Sequence, residues 1–477
     1  MSTVSDTVDV ATSAATSAVV PILESTAAQR AVWLDAVADA LDGHRDELVA
    51  VADEETALGV DRLRGEVGRT TGQLRLFARA IVEGSYLEVA IDHADASATP
   101  PRPDLRRMLR PIGPIAVFAA SNFPFAFSVA GGDTASALAA GCPVIVKAHP
   151  GHTRLSRLTA TIVSNALAEA GAPAGTFALV DGYDAGVELV QSAGVAGVAF
   201  TGSVRGGRAL HDLAAARPAP IPFFGELGSV NPVVVTRAAD AARGAELAAG
   251  LAASFSLGAG QFCTKPGVVF VPRNSTLAAS IVAPVGGQRL LTEAIDAGFR
   301  EGLEDLLSIA GVTVLSAGNG AGPQPTIIEV DVATLAAHAR KILAEVFGPV
   351  TVLVTYGDDD SLREALGYLE GTLTATLHAE ASDDTTDIVR ILTGIAGRVL
   401  FSGWPTGVAV AWAQHHGGPW PATTSQHTSV GVTAIRRFLR PIAYQDAPEA
   451  ILPRELVESN PLSVPRRVDG VLVTSAA

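Results

Sequence analysis

An α/β fold built on parallel sheets is predicted by three observations. Short apolar runs alternate with amphipathic helical stretches from residue 115 to residue 216, and a second alternation of the same kind starts at Pro232. The runs are apolar on consecutive positions, which is the pattern of parallel strands covered by helices on both faces. With 477 residues of which 48% are hydrophobic, the chain exceeds what one core serves, so two or three domains are expected.

Residues 25–83 carry apolar positions at helical spacing and predict two or three amphipathic helices before any strand. Residues 95–110, with Pro100, Pro101, Pro103 and several arginines, read as a detour from the first domain. The first alternation then places strands at 115–120, 143–148, 176–181 and 197–202, and helices at 126–140, 154–170, 185–192 and 205–216. Ligands of such sheets lie beyond the strand C-termini, and here those ends carry Asn122, Lys147 and Gly202. No G-x-G-x-x-G follows the first strand, so motif grounds alone give no ordinary dinucleotide site. The second alternation places strands at 232–236, 267–271, 351–355 and 373–378, with helical stretches at 238–257, 290–307, 362–368 and 383–393. The glycine-rich run 318–323 reads as a loop, and the tail 439–473, interrupted by Pro441, Pro453, Pro461 and Pro465, is too broken for a core helix.

Composition excludes several function classes. The net charge is −15 and no basic run concentrates the 34 Lys and Arg residues, which argues against a nucleic-acid surface. Two cysteines far apart, with no CxxC, argue against a disulfide framework or a thiolate metal site and fit a reducing cytoplasm. The first six residues lack a basic region followed by an apolar core, so no signal peptide is expected. The uncharged stretch 111–132 is broken by prolines, glycines and Asn122, and reads as a strand and a helix start instead of a membrane span.

Three residue types point to acyl chemistry. Cys263 sits in Gly258-Ala-Gly-Gln-Phe-Cys263-Thr-Lys-Pro266, where it is either a small packed residue or a nucleophile that small neighbours leave accessible. Glu226, in the apolar segment 224–232, is either a buried structural ion or a tuned general base, and poor solvation predicts a raised pKa. Asn122 follows the first strand and is either a turn residue or a donor to a developing oxyanion. Lys147 ends an apolar strand, where a cation must find an anion or reach solvent. His415 and His416 are adjacent and lack a ligand spacing, so no metal is assigned; Cys142 is expected to be packed at a strand start.

Six segments then carry a resemblance: Ser121-Asn-Phe-Pro124, Pro143-Val-Ile-Val-Lys147, Phe200-Thr-Gly-Ser203, Gly225-Glu-Leu-Gly228, Gly260-Gln-Phe-Cys263 and Glu345-Val-Phe-Gly-Pro349. In this order they resemble the aldehyde dehydrogenase superfamily from about residue 32 to residue 441. The runs 403–410, 416–422 and 435–441 resemble the branch of NADP-dependent enzymes acting on α-ketoglutaric semialdehyde (2,5-dioxovalerate). The resemblance implies a Rossmann-like parallel-sheet cofactor domain (1–94 and 111–229), an α/β catalytic domain (230–438) and a small β oligomerisation ribbon (95–110 and 439–477) that makes a homodimer or homotetramer.

It also implies roles. Cys263 would add to an aldehyde, Asn122 with the Cys263 N–H would hold the oxyanion, and Glu226 would activate water to release a carboxylate. Lys147, His149, Gly202, Ser203, Gly207, Glu345 and Phe347 would bind the cofactor. NADP is expected, with NAD usable, because His149 stands where relatives often carry a glutamate that disfavours the 2′-phosphate, and Arg205 or Arg208 could pair with that phosphate. Pro150 tempers this expectation, since it has no hydroxyl to donate. The alternatives are other semialdehydes, or fatty and aromatic aldehydes given Phe123, Phe125, Trp404 and Trp412. A CoA-acylating relative typically lacks the base that Glu226 supplies, and a catalytically silent binding protein would have lost Cys263 or Glu226. Arg436 and Arg437 could bind a substrate carboxylate, although their place in the sequence suits the tail interface better.

Overall fold

A computed structural model of the chain describes residues 7–320 and 322–474. It opens with helices α1 (Val8–Glu24), α2 (Ala27–Gly43), α3 (Arg45–Thr56) and α4 (Val60–Glu83). α2 starts where Thr26 and Gln29 form a reciprocal capping box. α1 lies ahead of the expected helices; its small residues Ala11, Ala15 and Ala18 are buried, a stripe of low apolar contrast. α4 buries two kinds of side chain, the apolar Leu63, Val67, Leu74, Phe77 and Ile81, and the polar Glu66 and Gln73.

Strands β1 (Val89–Asp92) and β2 (Leu105–Pro111) follow, then β3 (Ile115–Phe118), α5 (Gly132–Ala140), β4 (Val144–Lys147), α6 (Thr153–Glu169), β5 (Phe177–Val180), α7 (Tyr183–Gln191), β6 (Gly197–Thr201), α8 (Val204–Ala215) and β7 (Phe223–Glu226). β3 to β7 form one parallel sheet in the order β5-β4-β3-β6-β7, so Asn122, Lys147, Gly202 and Glu226 all lie at one edge. α5 starts six residues later than its sequence suggests. The amides of Phe125 and Ala126 donate to buried Glu66 Oε1 at 2.8 and 2.9 Å instead of entering a helix, and a Cβ on Gly131 would stand 2.5 Å from the Ala126 carbonyl oxygen.

The second unit runs β8 (Val233–Val235), α9 (Arg237–Ser256), β9 (Val268–Pro272), α10 (Thr276–Ser280), α11 (Glu293–Leu307), β10 (Thr313–Ala317), β11 (Thr326–Asp331), α12 (Val332–Ile342), β12 (Val350–Tyr356), α13 (Asp359–Leu366), β13 (Thr372–His378), α14 (Thr386–Ile395) and β14 (Ala396–Phe401). Its strands order as β10-β11-β12-β9-β8-β13-β14. β10, β11 and α12 fill a region the sequence reading left unassigned; β10 is a largely exposed edge strand, so burial writes no apolar run into it.

The tail forms β15 (Leu439–Gln445), β16 (Arg466–Val468) and β17 (Val471–Val473), and builds a third sheet in the order β15-β2-β1-β16-β17. This ribbon takes β1 from residues 89–92 and extends β2 to Pro111, which corrects the expected 95–110 boundary; β15 pairs with β2 along its whole length. Among the described residues, no helix is long and apolar enough to cross a membrane.

Candidate active site

The loop that carries Cys263 is set by close backbone approach. A short turn at Leu257–Gly260 puts Gly258, Ala259 and Gly260 in left-handed conformations, and a Cβ on Gly260 would lie 2.3 Å from the Gly348 carbonyl oxygen, so only glycine fits there. Asn231, fully buried and itself left-handed, donates through Nδ2 to the carbonyls of Cys263 (2.7 Å) and Lys265 (2.9 Å). Lys265 donates through buried Nζ to the carbonyls of Val346 (2.8 Å) and Val350 (2.9 Å), tying the Glu345 loop to the cysteine loop. Neither residue was singled out in the sequence. A polar residue inside an apolar run was the available signal.

Asn122 reaches the same point from β3. It is 8% exposed, donates through Nδ2 to the Gln261 carbonyl at 3.0 Å, and keeps its second amide hydrogen free of that bond. Glu226 arrives from β7 and is 3% exposed. The segment after β14 folds over it: Thr423 pairs with Glu226 as an isolated bridge, and the Leu227 amide donates to the Ala422 carbonyl at 2.7 Å.

That segment delivers a group the sequence reading discounted. His416 Nε2 lies 3.0 Å from Glu226 Oε1 and 3.6 Å from Cys263 Sγ, and Ser429 Oγ donates to Glu226 Oε2. His416 Nδ1 is buried without a partner, so the imidazole proton belongs on Nε2, where the carboxylate accepts it. Sulfur, carboxylate and imidazole lie within 4.8 Å of one another, the one such cluster of metal-capable donors among the described residues. Spacing could not reveal it, because His416 and Glu226 are 190 positions apart.

The electrostatics correct one expectation. Burial pushes the Glu226 carboxyl up, but His416, Ser429 and the more distant Arg437 outweigh it and hold the group below its ordinary value. The Cys263 thiol is pushed well up by burial and by the carboxylates of Glu226 and Glu345, against the pull of Arg69. Burial likewise raises Glu345 and lowers Lys265, each partly offset by the other's charge.

A cavity of about 290 Å³ runs to the thiol from the start of α8, lined by Asn122, Gly202, Ser203, Glu226, Cys263, Glu345 and Phe347 among others. Its size and its mix of apolar walls with a few polar groups fit the nicotinamide half of a dinucleotide. Gly228 lets Glu345 in: a Cβ there would stand 2.6 Å from Glu345 Oε2. Gly207 is buried in α8, where a Cβ would meet Leu227 at 2.1 Å. Lys147 and His149 lie at the end of β4, outside this cavity. His149 accepts from the Gly151 amide at 3.0 Å, and burial with the charges of His152 and Lys147 brings its pKa down to about 3, so the imidazole is neutral. Arg208 pairs with Asp212 at 2.8 Å, which leaves Arg205 as the exposed cation at the helix start. Arg436 pairs with Glu88 and Arg437 with Asp133, so both charges are compensated within the protein.

A model of the aldehyde dehydrogenase family matches residues 2–283, and the chain belongs to that family and is an NAD(P)-dependent aldehyde oxidoreductase. Within it, the chain is 47% identical to alpha-ketoglutaric semialdehyde dehydrogenase 2 of Azospirillum brasilense, over 93% of this chain and 87% of that protein. It is 42% identical to alpha-ketoglutaric semialdehyde dehydrogenase of Acinetobacter baylyi, over 98% and 91%. Among solved structures, an E. coli NADP dependent enzyme superposes with a TM-score of 0.75 at 24% identity, covering 92% of this chain and 89% of that one.

Proposed function

We propose that this enzyme oxidises α-ketoglutaric semialdehyde to 2-oxoglutarate and prefers NADP over NAD. The observation that carries the reading is the convergence of Cys263, Asn122 and Glu226 on one cavity, with His416 beside both the thiol and the carboxylate, in a chain 47% identical to a protein of that named activity.

Cys263, in its minor thiolate form, adds to the aldehyde carbon. The new oxyanion accepts hydrogen bonds from the free Asn122 amide hydrogen and the Cys263 backbone N–H. A nicotinamide, when bound, would supply the hydride acceptor, and loss of the hydride would leave the acyl group on Cys263 as a thioester. Glu226 then takes a proton from water, which attacks the thioester carbon and releases the carboxylate and the Cys263 thiol. The Nε2–H of His416 is shared between Glu226 and sulfur, so it can favour whichever carries the negative charge.

Gly202 and Ser203 at the start of α8 would hold the cofactor phosphates, with Gly207 keeping the helix close to Leu227. Glu345 would accept from the nicotinamide-ribose hydroxyls and Phe347 would pack on the ring. Lys147 would meet the adenosine ribose and its 2′-phosphate, beside a neutral His149 that does not repel it. A tenfold preference needs only about 1.4 kcal/mol, which one charge-assisted contact supplies. The ribbon, with Val471, Leu472 and Val473 exposed on its outer strand, supports a homodimer or homotetramer.

The test is a kcat/KM panel of aldehydes with both cofactors. 2,5-Dioxovalerate with NADP is expected to be best, and His149→Glu should move the ratio towards NAD. A wild type that prefers NAD with an unchanged ratio in that variant overturns the cofactor reading; a preference for fatty or aromatic aldehydes overturns the substrate.

A further inference from the structure

Outside the cofactor cavity, α4 presents an unusual face against the loops that carry Asn122 and Phe262. Positions 62, 66, 69 and 73 recur at helical spacing and bring Arg62, Glu66, Arg69 and Gln73 against residues 122–132. Arg62 stands over the rings of Phe123 (5.2 Å) and Phe262 (4.9 Å), and Arg69 over Phe123 (5.8 Å) and Phe127 (5.4 Å). Phe262 immediately precedes Cys263, and the Phe127 ring lies 6.4 Å from that of His416. The two guanidinium groups therefore flank one aromatic ring beside the nucleophile. Arg62, Glu66, Arg69, Gln73, Phe123, Phe127 and Phe262 are not among the residues lining the 290 Å³ cavity.

The carboxylates of Glu66 and, for Arg69, of Glu226 act on these cations from a distance, but none forms a close ion pair with them. Glu66 lies between them in sequence, but its Oε1 is taken by the Phe125 and Ala126 amides and its Oε2 is buried without a hydrogen-bond partner, and among the described residues neither arginine forms an ion pair. Arg62 makes one bond, from Nη2 to the Asn122 carbonyl at 2.7 Å, and its Nη1 is buried without a partner. Nε and Nη2 of Arg69 are likewise buried and unpaired. Burying guanidinium N–H groups unpaired is unfavourable, and a planar fork of donors matches a carboxylate. The unpaired donors of both guanidinium groups leave room for an acceptor that a substrate carboxylate can supply. The contrast with Arg436 and Arg437, both paired with carboxylates, marks Arg62 and Arg69 as available.

We propose that Arg62 and Arg69 form the subsite that receives the distal carboxylate of the aldehyde substrate, and that this subsite selects short aldehyde acids over uncharged aldehydes. The inference rests on the substrate reading above and gives it a physical cause. Phe123 and Phe262 form the apolar wall along the carbon chain, and the arginines hold its far end while the aldehyde carbon meets Cys263. Of the other aromatic residues that suggested a fatty or aromatic substrate, Phe125 is buried in the core and Trp404 packs on His378 at 4.9 Å.

The test compares matched pairs, 2,5-dioxovalerate with pentanal and succinic semialdehyde with butanal, in wild type, Arg69→Met, Arg62→Met and Arg69→Lys. Arg62→Met should lower kcat/KM for the acids by about 100-fold, chiefly through KM, and move the uncharged aldehydes by less than about threefold; Arg69→Met also removes a charge that favours the Cys263 thiolate, so it should slow every aldehyde and the acids by at least about a further tenfold, with partial recovery in Arg69→Lys. As a second readout, 2-oxoglutarate should raise the melting temperature of wild type and not that of Arg69→Met or Arg62→Met. Equal losses on acids and uncharged aldehydes in both folded Met variants, or an acid preference that survives both, would overturn the subsite. If wild type prefers aldehyde acids but not 2,5-dioxovalerate among them, the substrate reading fails while the subsite stands. If it prefers no acid, both fail.

Discussion

Cys142 precedes β4 and Cys263 precedes β9, so the two thiols of the chain occupy comparable places ahead of parallel strands. Burial pushes both up, Cys142 to about 12 and Cys263 well above its ordinary value. Acidity at rest therefore does not distinguish them. Their surroundings do. Cys142 is fully buried among apolar neighbours and its Sγ donates to the Phe438 carbonyl at 3.5 Å. Cys263 opens on a cavity, with an amide donor, an imidazole and a carboxylate around it. The proposed role of Cys263 as nucleophile therefore rests on reach and on partners for the charge it would gain, more than on the fraction already ionised.

The largest effect expected from this contrast is the loss of dehydrogenase activity in Cys263→Ala, by about 1,000-fold or more, with the fold intact. Cys142→Ala should keep activity within about threefold and instead lose about 1 kcal/mol of stability from a small cavity. Comparable activity loss in both, at equal melting temperature, would erase the distinction.

Glu226→Gln should slow steady-state turnover by about 100- to 10,000-fold while leaving a rapid first turnover, because the amide cannot take a proton from water. Stopped-flow absorbance of NADPH should show a burst followed by slow release. The same substitution removes a negative neighbour that holds the Cys263 thiol up, so iodoacetamide labelling of Cys263 against pH should shift to lower pH. An unshifted profile with near-normal turnover would assign the base elsewhere.

His416→Asn sharpens the comparison at smaller scale. It removes the N–H shared by Glu226 and sulfur, so turnover should fall by about 10- to 100-fold. Glu226 loses its first counterbalance to burial, so its pKa should rise, and the acidic limb of the kcat profile, which requires the carboxylate, should move to higher pH. A lower kcat with an unmoved acidic limb would reduce His416 to a packing role.

Much of the site was legible because its parts are local. The glycine-rich loop around Cys263, the glutamate in an apolar segment and the asparagine after the first strand each announce themselves within a few residues. The first sheet was legible too, because strands buried on both faces must be apolar at every position. β10, exposed at its edge, and α1, buried through small residues, carry no such mark.

By its own order of residues, the chain determined the two strand and helix alternations, the broken tail, and the strand ends that carry Asn122, Lys147 and Gly202. Tertiary structure alone decided which distant groups meet. His416 reaches Glu226 across 190 positions, and Arg62 stands beside Asn122 across 60. It also decided the sign of the Glu226 shift. Burial favours the neutral acid and two donors favour the carboxylate, and the balance depends on distances of about 3 Å that no spacing along the chain encodes.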